Sequence, residues 1–329
     1  MRRFLVAAAA AALVLTGCSS GEDGPESNEG SGGSAAATEG TPGENLPTVD
    51  DEPIIEGAEI TMPVFDFSGA QIPEELTYAV VSAGDGPEVE AGDTMVADYV
   101  GTVWGADEPF DSSFMRGQPA VFDIDNLVPG WRDGVVGLNA GDRVILSIPS
   151  ELGYGPNGGN QQAGIAEDDT IVFVIDIFDT RRSADDFVSE PNEVTGEGPD
   201  AVSISAEPGT PAIPVMDDGA DEPEEMSVTV ISEGTGDELE VGDFAVMGYA
   251  ASTWDNEPFG TSWSGVTWDG VEDPYGQVPP LTARLGVGTP FDELVGVPVG
   301  SRVLFVFPGD EELEQPSQVF VLDVAYSQN

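Results

Sequence analysis

The 329-residue chain contains no histidine and no lysine, and it has a single cysteine. Without imidazole, Ser-His-Asp and Cys-His nucleophilic catalysis, histidine-ligated metals and an ordinary imidazole pH switch are all excluded. A lone thiol leaves no partner for a disulfide within the chain. Basic charge is scarce too: nine arginines face 62 Asp and Glu, for a formal net charge of -53. A surface this acidic repels phosphate backbones, which argues against nucleic acid as a partner. What the chain does have is apolar material, 40 % of its residues, with 8 % aromatic. That is enough to bury cores, and the length suggests about two domains.

The cysteine sits at the end of a leader-like segment. Arg2 and Arg3 precede the apolar run Phe4–Leu15, which is too short for a bilayer span of about 20 residues and reads as a signal peptide. Leu15-Thr16-Gly17-Cys18 resembles the bacterial lipobox. That resemblance implies a diacylglyceryl group on Cys18, cleavage before it, and a chain anchored on the extracytoplasmic face of the cell membrane. An ordinary secretory signal with a chance cysteine is the alternative. Two acyl chains suffice for stable anchoring without a polybasic patch. We expect residues 1–17 to be the signal peptide and residues 18–55 a disordered tether. Stretches such as Ser27-Asn28-Glu29-Gly30-Ser31-Gly32-Gly33 cannot bury enough surface to offset chain entropy.

Beyond the tether the chain repeats itself at an offset of about 150 residues. Pro73-Glu74-Glu75-Leu76 matches Pro223-Glu224-Glu225-Met226, Gly92-Asp93 matches Gly242-Asp243, and Tyr99 and Trp104 match Tyr249 and Trp254. Further on, Val172-Phe173-Val174-Ile175-Asp176 answers Val319-Phe320-Val321-Leu322-Asp323. Such a spacing is far above that of solenoid repeats and signals two copies of one domain. The boundaries expected are 56–183 for the first copy, 184–221 for a linker and lead-in segment, and 222–329 for the second. Thr94–Trp104 alternates as an amphipathic strand, while Arg143–Ile148 and Ile171–Phe178 are dense in β-branched residues, as central strands are. Pro129–Gly137 offers one short helix, weakened by Gly134. One short helix covers a sheet of four or five strands only if the sheet curls around it, leaving a small apolar cavity with Trp131 at its base. The fold class expected is α+β, each copy being a curled antiparallel sheet around one short α-helix.

Several ordered features carry a family resemblance from about Leu76 to Arg181. They are Gly84-Asp85-Gly86, Asp98-Tyr99-Val100-Gly101, Phe110-Asp111-Ser112-Ser113, Leu127-Val128-Pro129-Gly130-Trp131, Gly153-Tyr154-Gly155, and Gly164-Ile165 ahead of Thr170-Ile171-Val172-Phe173. Each is weak alone, but their order over about a hundred residues is specific. The stretch resembles the FKBP family, the macrolide-binding prolyl isomerases. The resemblance implies peptidyl-prolyl cis-trans isomerase activity and a pocket of Tyr99, Phe110, Asp111, Val128, Trp131, Tyr154, Ile165 and Phe173. Trp131 would be its floor and Tyr99, Phe110 and Phe173 its walls. The Tyr154 hydroxyl and the Val128 N–H would orient substrate carbonyls, and Asp111 would fix the geometry. Proline-containing polypeptides of the export route are the implied clients, and macrolides possible ligands. No cofactor and no metal are implied.

Taken singly, Trp131 and Phe173 read equally as plain core, and Asp111 as a strand-end cap. Two departures from the family pattern stand out. Ala120 precedes Val121-Phe122 where many members carry an aromatic wall, and the loop Pro156–Gln162 lacks the frequent histidine; both suggest a wider pocket. In the second copy Gly260 replaces Asp111, Phe291 is the stand-in expected for Trp131, and no Tyr follows Pro308. That copy is expected to keep the fold without activity. A lipid-tethered client-binding protein that does not turn over is the alternative function for the whole chain. Acidic runs such as Glu167-Asp168-Asp169 do not follow the EF-hand pattern and read as solvated charge.

Overall fold

The computed structural model describes residues 41–43, 45–53, 61–268, 271–272, 278–310 and 314–328. The expected signal peptide, Cys18 and most of the expected tether lie outside the described residues. The chain forms two compact units that change over between Thr180 and Arg181, with the short stretch Gly117–Val121 grouped with the second.

The first unit contains β1 (Thr41–Pro42), β2 (Thr48–Pro53), β3 (Thr61–Asp66), β4 (Thr77–Ser82), β5 (Thr94–Val103), β6 (Asp111–Ser112), α1 (Ser113–Arg116), β7 (Ala120–Asp123), α2 (Pro129–Val135), β8 (Arg143–Ile148) and β9 (Ile171–Arg181). Its main sheet runs β1-β4-β8-β9-β5-β6, with β7 also on β5. β4–β8, β8–β9 and β5–β6 pair antiparallel, and the two-residue β1 adds to β4 in parallel.

β5 was expected to show one wet face. Instead Thr102 is buried along with Met95, Ala97 and Tyr99, because both sides of the sheet are covered. On the outer side the antiparallel hairpin β2–β3 packs Val49, Met62 and Phe65 against Val100, Ile145, Val172 and Val174. Arg143 links hairpin to sheet: its Nε donates to Asp176 at 2.5 Å and its Nη1 to Asp51 at 3.0 Å. Residues 48–53 are therefore strand, which corrects the tether boundary expected at 55. Their alternation was hidden by the polar Asp50, Asp51 and Glu52 on a strand with only one face to bury.

On the inner side lies α2, with Pro129 at its first position and Gly137 at φ 87° just past its end, as helix punctuation requires. Gly134, expected to weaken the helix, is what lets it seat. A Cβ there would come 2.5 Å from Leu146 Cδ1, and one at Gly130 2.4 Å from Ile148 Cγ2. Gly130→Ala is thus expected to cost about 1–3 kcal/mol through overpacking, although alanine is the better helix former by about 1 kcal/mol. A urea midpoint at or above that of the parent protein would contradict this.

The second unit contains β10 (Val202–Ile204), β11 (Pro214–Met216), β12 (Ser227–Ser232), β13 (Phe244–Thr253), β14 (Pro258–Thr261), β15 (Thr267–Trp268), β16 (Val271–Glu272), β17 (Leu281–Arg284), β18 (Arg302–Phe307) and β19 (Gln318–Gln328). Its sheet order, β12-β18-β19-β13-β14 with β17 on β13, repeats that of the first unit. Even the register slip recurs, at Val80/Ser82 on β4 and Val230/Ser232 on β12.

Two expectations are corrected here. Residues 184–221 are folded parts of this unit rather than a linker: Phe187 is fully buried, and the hairpin β10–β11 packs Ile213 and Met216 over Ala250, Leu304, Val319 and Val321. Those four positions repeat Val100, Ile145, Val172 and Val174. The duplicated element is therefore hairpin plus sheet, with Pro63-Val64-Phe65-Asp66 answering Pro214-Val215-Met216-Asp217. Among the described residues the second unit has no counterpart of α2, only a 3-10 helix over Pro290–Leu294. The closing turns Leu138 N–H to Val135 and Val297 N–H to Leu294 align the two stretches, so Thr289 and Glu293 stand where Gly130 and Gly134 do. The two glycines whose missing Cβ atoms let α2 seat are thus replaced by residues that carry side chains.

Candidate active site

Most of the residues expected to line the pocket converge on the inner face of the first sheet. Trp131, carried by α2, is fully buried. It meets Tyr99 of β5 at 6.4 Å and Phe173 of β9 at 6.0 Å, both edge-on. Phe110, just ahead of β6, adds a T-shaped contact with Phe173 at 5.6 Å. Edge-to-face packing of this kind suits aromatic quadrupoles. Gly101 makes room for them: a Cβ there would sit 2.4 Å from Phe173 and 2.9 Å from Phe110.

Phe122 completes the ring, 5.4 Å from Tyr99 and 5.3 Å from Trp131. The missing wall expected at Ala120 is thus supplied from β7 two residues later, since alternation along the strand puts 120 and 122 on one side. That signal was present in the sequence.

Asp111 is the polar hub. The Tyr99 hydroxyl donates to its Oδ2 at 2.5 Å, Arg116 Nη1 donates to its Oδ1 at 2.5 Å, and the Ser112 N–H donates to the same oxygen at 2.8 Å. Arg116 also donates to the Tyr99 hydroxyl at 2.8 Å and lies over its ring at 5.4 Å. This arginine was not foreseen; its spacing of five residues from Asp111, through β6 into α1, becomes meaningful only once the turn is folded. Burial, then Asp111, push the Tyr99 phenol well above its ordinary range, so it remains a neutral donor.

Tyr154 and Ile165 lie on the loop beyond β8. A turn over Gly155–Asn157 follows Tyr154, and Ile165 closes the loop through paired backbone bonds with Asn160, at 2.9 and 2.8 Å. Burial first, and then the charge of Asp111, raise the Tyr154 phenol to about 12, while the nearby Asn160 acts in the opposite direction. Trp131 Nε1 is buried with no hydrogen-bond partner among the described residues, whereas the Tyr154 hydroxyl has the Asn160 side chain as a hydrogen-bond neighbour. Val128 precedes α2, and its carbonyl accepts from the N–H groups of Trp131 and Arg132.

Tyr154→Phe removes only the hydrogen bond with Asn160 and is expected to change stability by no more than about 1 kcal/mol. Turnover should fall about 3- to 10-fold for the loss of one guest hydrogen bond. A loss of stability without a loss of rate would assign this side chain to the core.

In the second unit the corresponding floor is built differently. Tyr249 stacks on Phe320 at 6.4 Å, and Phe305 lies between Phe291 and Phe307, at 5.8 and 5.9 Å. Phe291 is only partly buried, and the alignment of the closing turns puts Pro290 rather than Phe291 at the place of Trp131. Gly260 offers Tyr249 no carboxylate, and burial alone raises that phenol to about 12.

Comparison with known proteins agrees with this geometry. A family model of FKBP-type peptidyl-prolyl cis-trans isomerase matches residues 86–178. The FK506-binding protein of Streptomyces anulatus is 38 % identical over 120 residues, covering 36 % of this chain and 96 % of the relative. FKBP-type peptidyl-prolyl cis-trans isomerase FkpA of Escherichia coli (strain K12) is 39 % identical over 106 residues, 32 % of this chain and 38 % of the relative. Its crystal structure superposes with a TM-score of 0.30 over 32 % of this chain and 48 % of the other, at 38 % identity. Outer membrane protein MIP of Legionella longbeachae is 29 % identical over 113 residues, 34 % of this chain and 47 % of the relative. Since one relative is matched over 96 % of its length, and the family model spans the aromatic cluster, the chain belongs to the family of FKBP-type peptidyl-prolyl cis-trans isomerases.

Proposed function

We propose that the first unit catalyses cis-trans isomerisation of X-Pro bonds in exported polypeptides, with Tyr99, Phe110, Asp111, Val128, Trp131, Tyr154, Ile165 and Phe173 forming its site, joined by Phe122. The observation that carries this is the ring of Tyr99, Phe110, Phe122 and Phe173 around Trp131, whose buried indole N–H has no partner among the described residues. An X-Pro bond turns over a barrier of about 18–20 kcal/mol, uncatalysed in tens to hundreds of seconds. Reaching milliseconds needs roughly 10⁴–10⁵-fold, or about 5–7 kcal/mol. No nucleophile or metal is required for that. A twisted amide has lost resonance and is less polar than a planar one, so a dry aromatic enclosure favours it over the ground state. The Tyr154 hydroxyl and the Val128 N–H hold neighbouring carbonyls while the imide rotates.

The second unit, without a carboxylate at Gly260 and without α2, acts as a non-catalytic companion in this proposal. The lipobox-like Leu15–Cys18 segment and the relative named an outer membrane protein support anchoring through Cys18 at the extracytoplasmic face of the membrane. Macrolides would occupy the same enclosure as the prolyl ring.

The test is NMR exchange spectroscopy of a prolyl tetrapeptide with catalytic amounts of the full chain; cis-trans exchange no faster than in buffer would refute the proposal. The chain has no histidine, and the Tyr154 phenol titrates only at about 12. The rate should therefore be flat between about pH 6 and 10. A bell-shaped profile within that window would demand an acid or base that this site lacks.

A further inference from the structure

We infer that the second unit carries a binding site of its own, an aromatic shelf that holds proline-containing chain segments in extended form without isomerising them. The inference deepens the role of non-catalytic companion proposed above and rests on prolyl segments being the clients of the chain.

The shelf stands in the same register as the first site. β14 pairs Gly260 with Ala251 of β13, as β6 pairs Asp111 with Gly101 of β5. In both units the serine two places on, Ser262 or Ser113, accepts at 2.8 Å from the N–H of the wall tyrosine, Tyr249 or Tyr99. Phe259 and Phe320 therefore occupy the places of Phe110 and Phe173, and they keep the T-shaped contact, at 6.2 Å. Phe307, at the position of Ile148, adds a further ring edge-on to Phe320 at 5.6 Å.

Two features of the shelf point to a guest. Phe259 is 50 % exposed, so its ring is offered to solvent beside the half-buried Tyr249 and Phe307. The Tyr249 hydroxyl is the second. Its counterpart on Tyr99 is held by Asp111 and Arg116, but among the described residues Tyr249 makes hydrogen bonds through its backbone alone. Gly260 supplies no carboxylate; a Cβ there would come 3.3 Å from the hydroxyl oxygen, and its absence leaves that approach open. Exposed rings beside a free phenolic donor suit a polyproline II segment. Its prolyl rings pack on aromatic faces, and its carbonyls, unused by any internal hydrogen bond, accept from donors at the surface. The imide is not enclosed there, because Pro290 stands in the place of Trp131, and no carboxylate fixes Tyr249 against a floor. The segment lies across the rings in its ground state.

The test is an NMR titration of the full chain, labelled with 15N at glycine, with the synthetic peptide Ala-Leu-Pro-Pro-Leu-Pro-Ala. The Gly101 amide reports the first site and the Gly260 amide the second, so both are read in one sample. Both signals should shift and saturate. Tyr249→Phe should weaken binding at Gly260 about 3- to 10-fold for the loss of one hydrogen bond, and Phe259→Ala about tenfold for the loss of an aromatic anchor. The peptide with alanine in place of each proline should bind there about tenfold more weakly. A Gly101 response with none at Gly260 would overturn the shelf and leave the isomerase role standing. Parent affinity at Gly260 in both variants would overturn its assignment to these two residues, and equal affinity for the alanine peptide would overturn the prolyl preference. No response at either glycine, with no acceleration of cis-trans exchange, would bring down the isomerase role together with the shelf.

Discussion

Replacing Asp323 by asparagine is expected to destabilise the second unit by about 3–5 kcal/mol, the cost of leaving a buried charge without its counterion. Arg302 and Asp323 face each other across β18 and β19, and both side chains are fully buried. The guanidinium donates to the carboxylate through Nε and Nη2, each at 2.7 Å. Its remaining donors reach the carbonyls of Ala206 and Thr210, at 2.9 and 2.6 Å, and so hold the β10–β11 region. Water cannot enter to solvate the arginine once the carboxylate is gone. At about 2–4 °C per kcal/mol for a unit of this size, the unfolding midpoint should drop on the order of 10 °C. The first unit supplies the control. Arg143 and Asp176 occupy the same register, but their side chains are 28 % and 13 % exposed and Asp51 offers a second carboxylate. Asp176→Asn should therefore cost only about 1 kcal/mol. Equal shifts for the two variants in calorimetry would refute this account of the buried pair.

Asp111→Ala is expected to lower kcat/KM on a prolyl peptide about 10- to 100-fold. The carboxylate ties together the Tyr99 hydroxyl, Arg116 and the Ser112 N–H. Without it, Tyr99 loses the acceptor that sets its ring against Trp131 and Phe122, and Arg116 is left with a neutral phenol. The damage is to geometry, and misplacing a wall by an ångström is enough to cost this much. Because Asp111 lies at the rim of the core, stability should change by no more than about 1–2 kcal/mol. Arg116→Ala keeps the Tyr99–Asp111 bond and should fall less, by about threefold. Residual activity near background in Asp111→Ala would also show that the second unit does not substitute for the first. A rate within twofold of the parent would remove Asp111 from the site.

Much of this was legible in the residues. β5, β8, β9 and the short helix α2 fall where β-branched density and Pro129 placed them, and the duplication was visible as matched segments offset by about 150 residues. The outer hairpins were not. Thr48–Pro53 and Val202–Ile204 are polar on one side because each buries a single face. Composition alone made the first look like tether and the second like linker. Phe122 was legible but discounted, because attention fell on Ala120 rather than on the residue two places along the same strand.

What the sequence determined by itself was the repertoire: no imidazole chemistry, two copies of one sheet-forming pattern, and an ordered set of aromatics around Trp131. Only the tertiary structure decided how those parts meet. Gly134 turned from a weakness into a requirement because Leu146 comes within contact of where its side chain would be. Arg116 found Asp111 and Tyr99 across a turn, and Arg302 lost all contact with water where its counterpart Arg143 did not. Each outcome depends on which surfaces a neighbouring element covers, and coverage is a property of the packed chain that no local pattern of residues encodes.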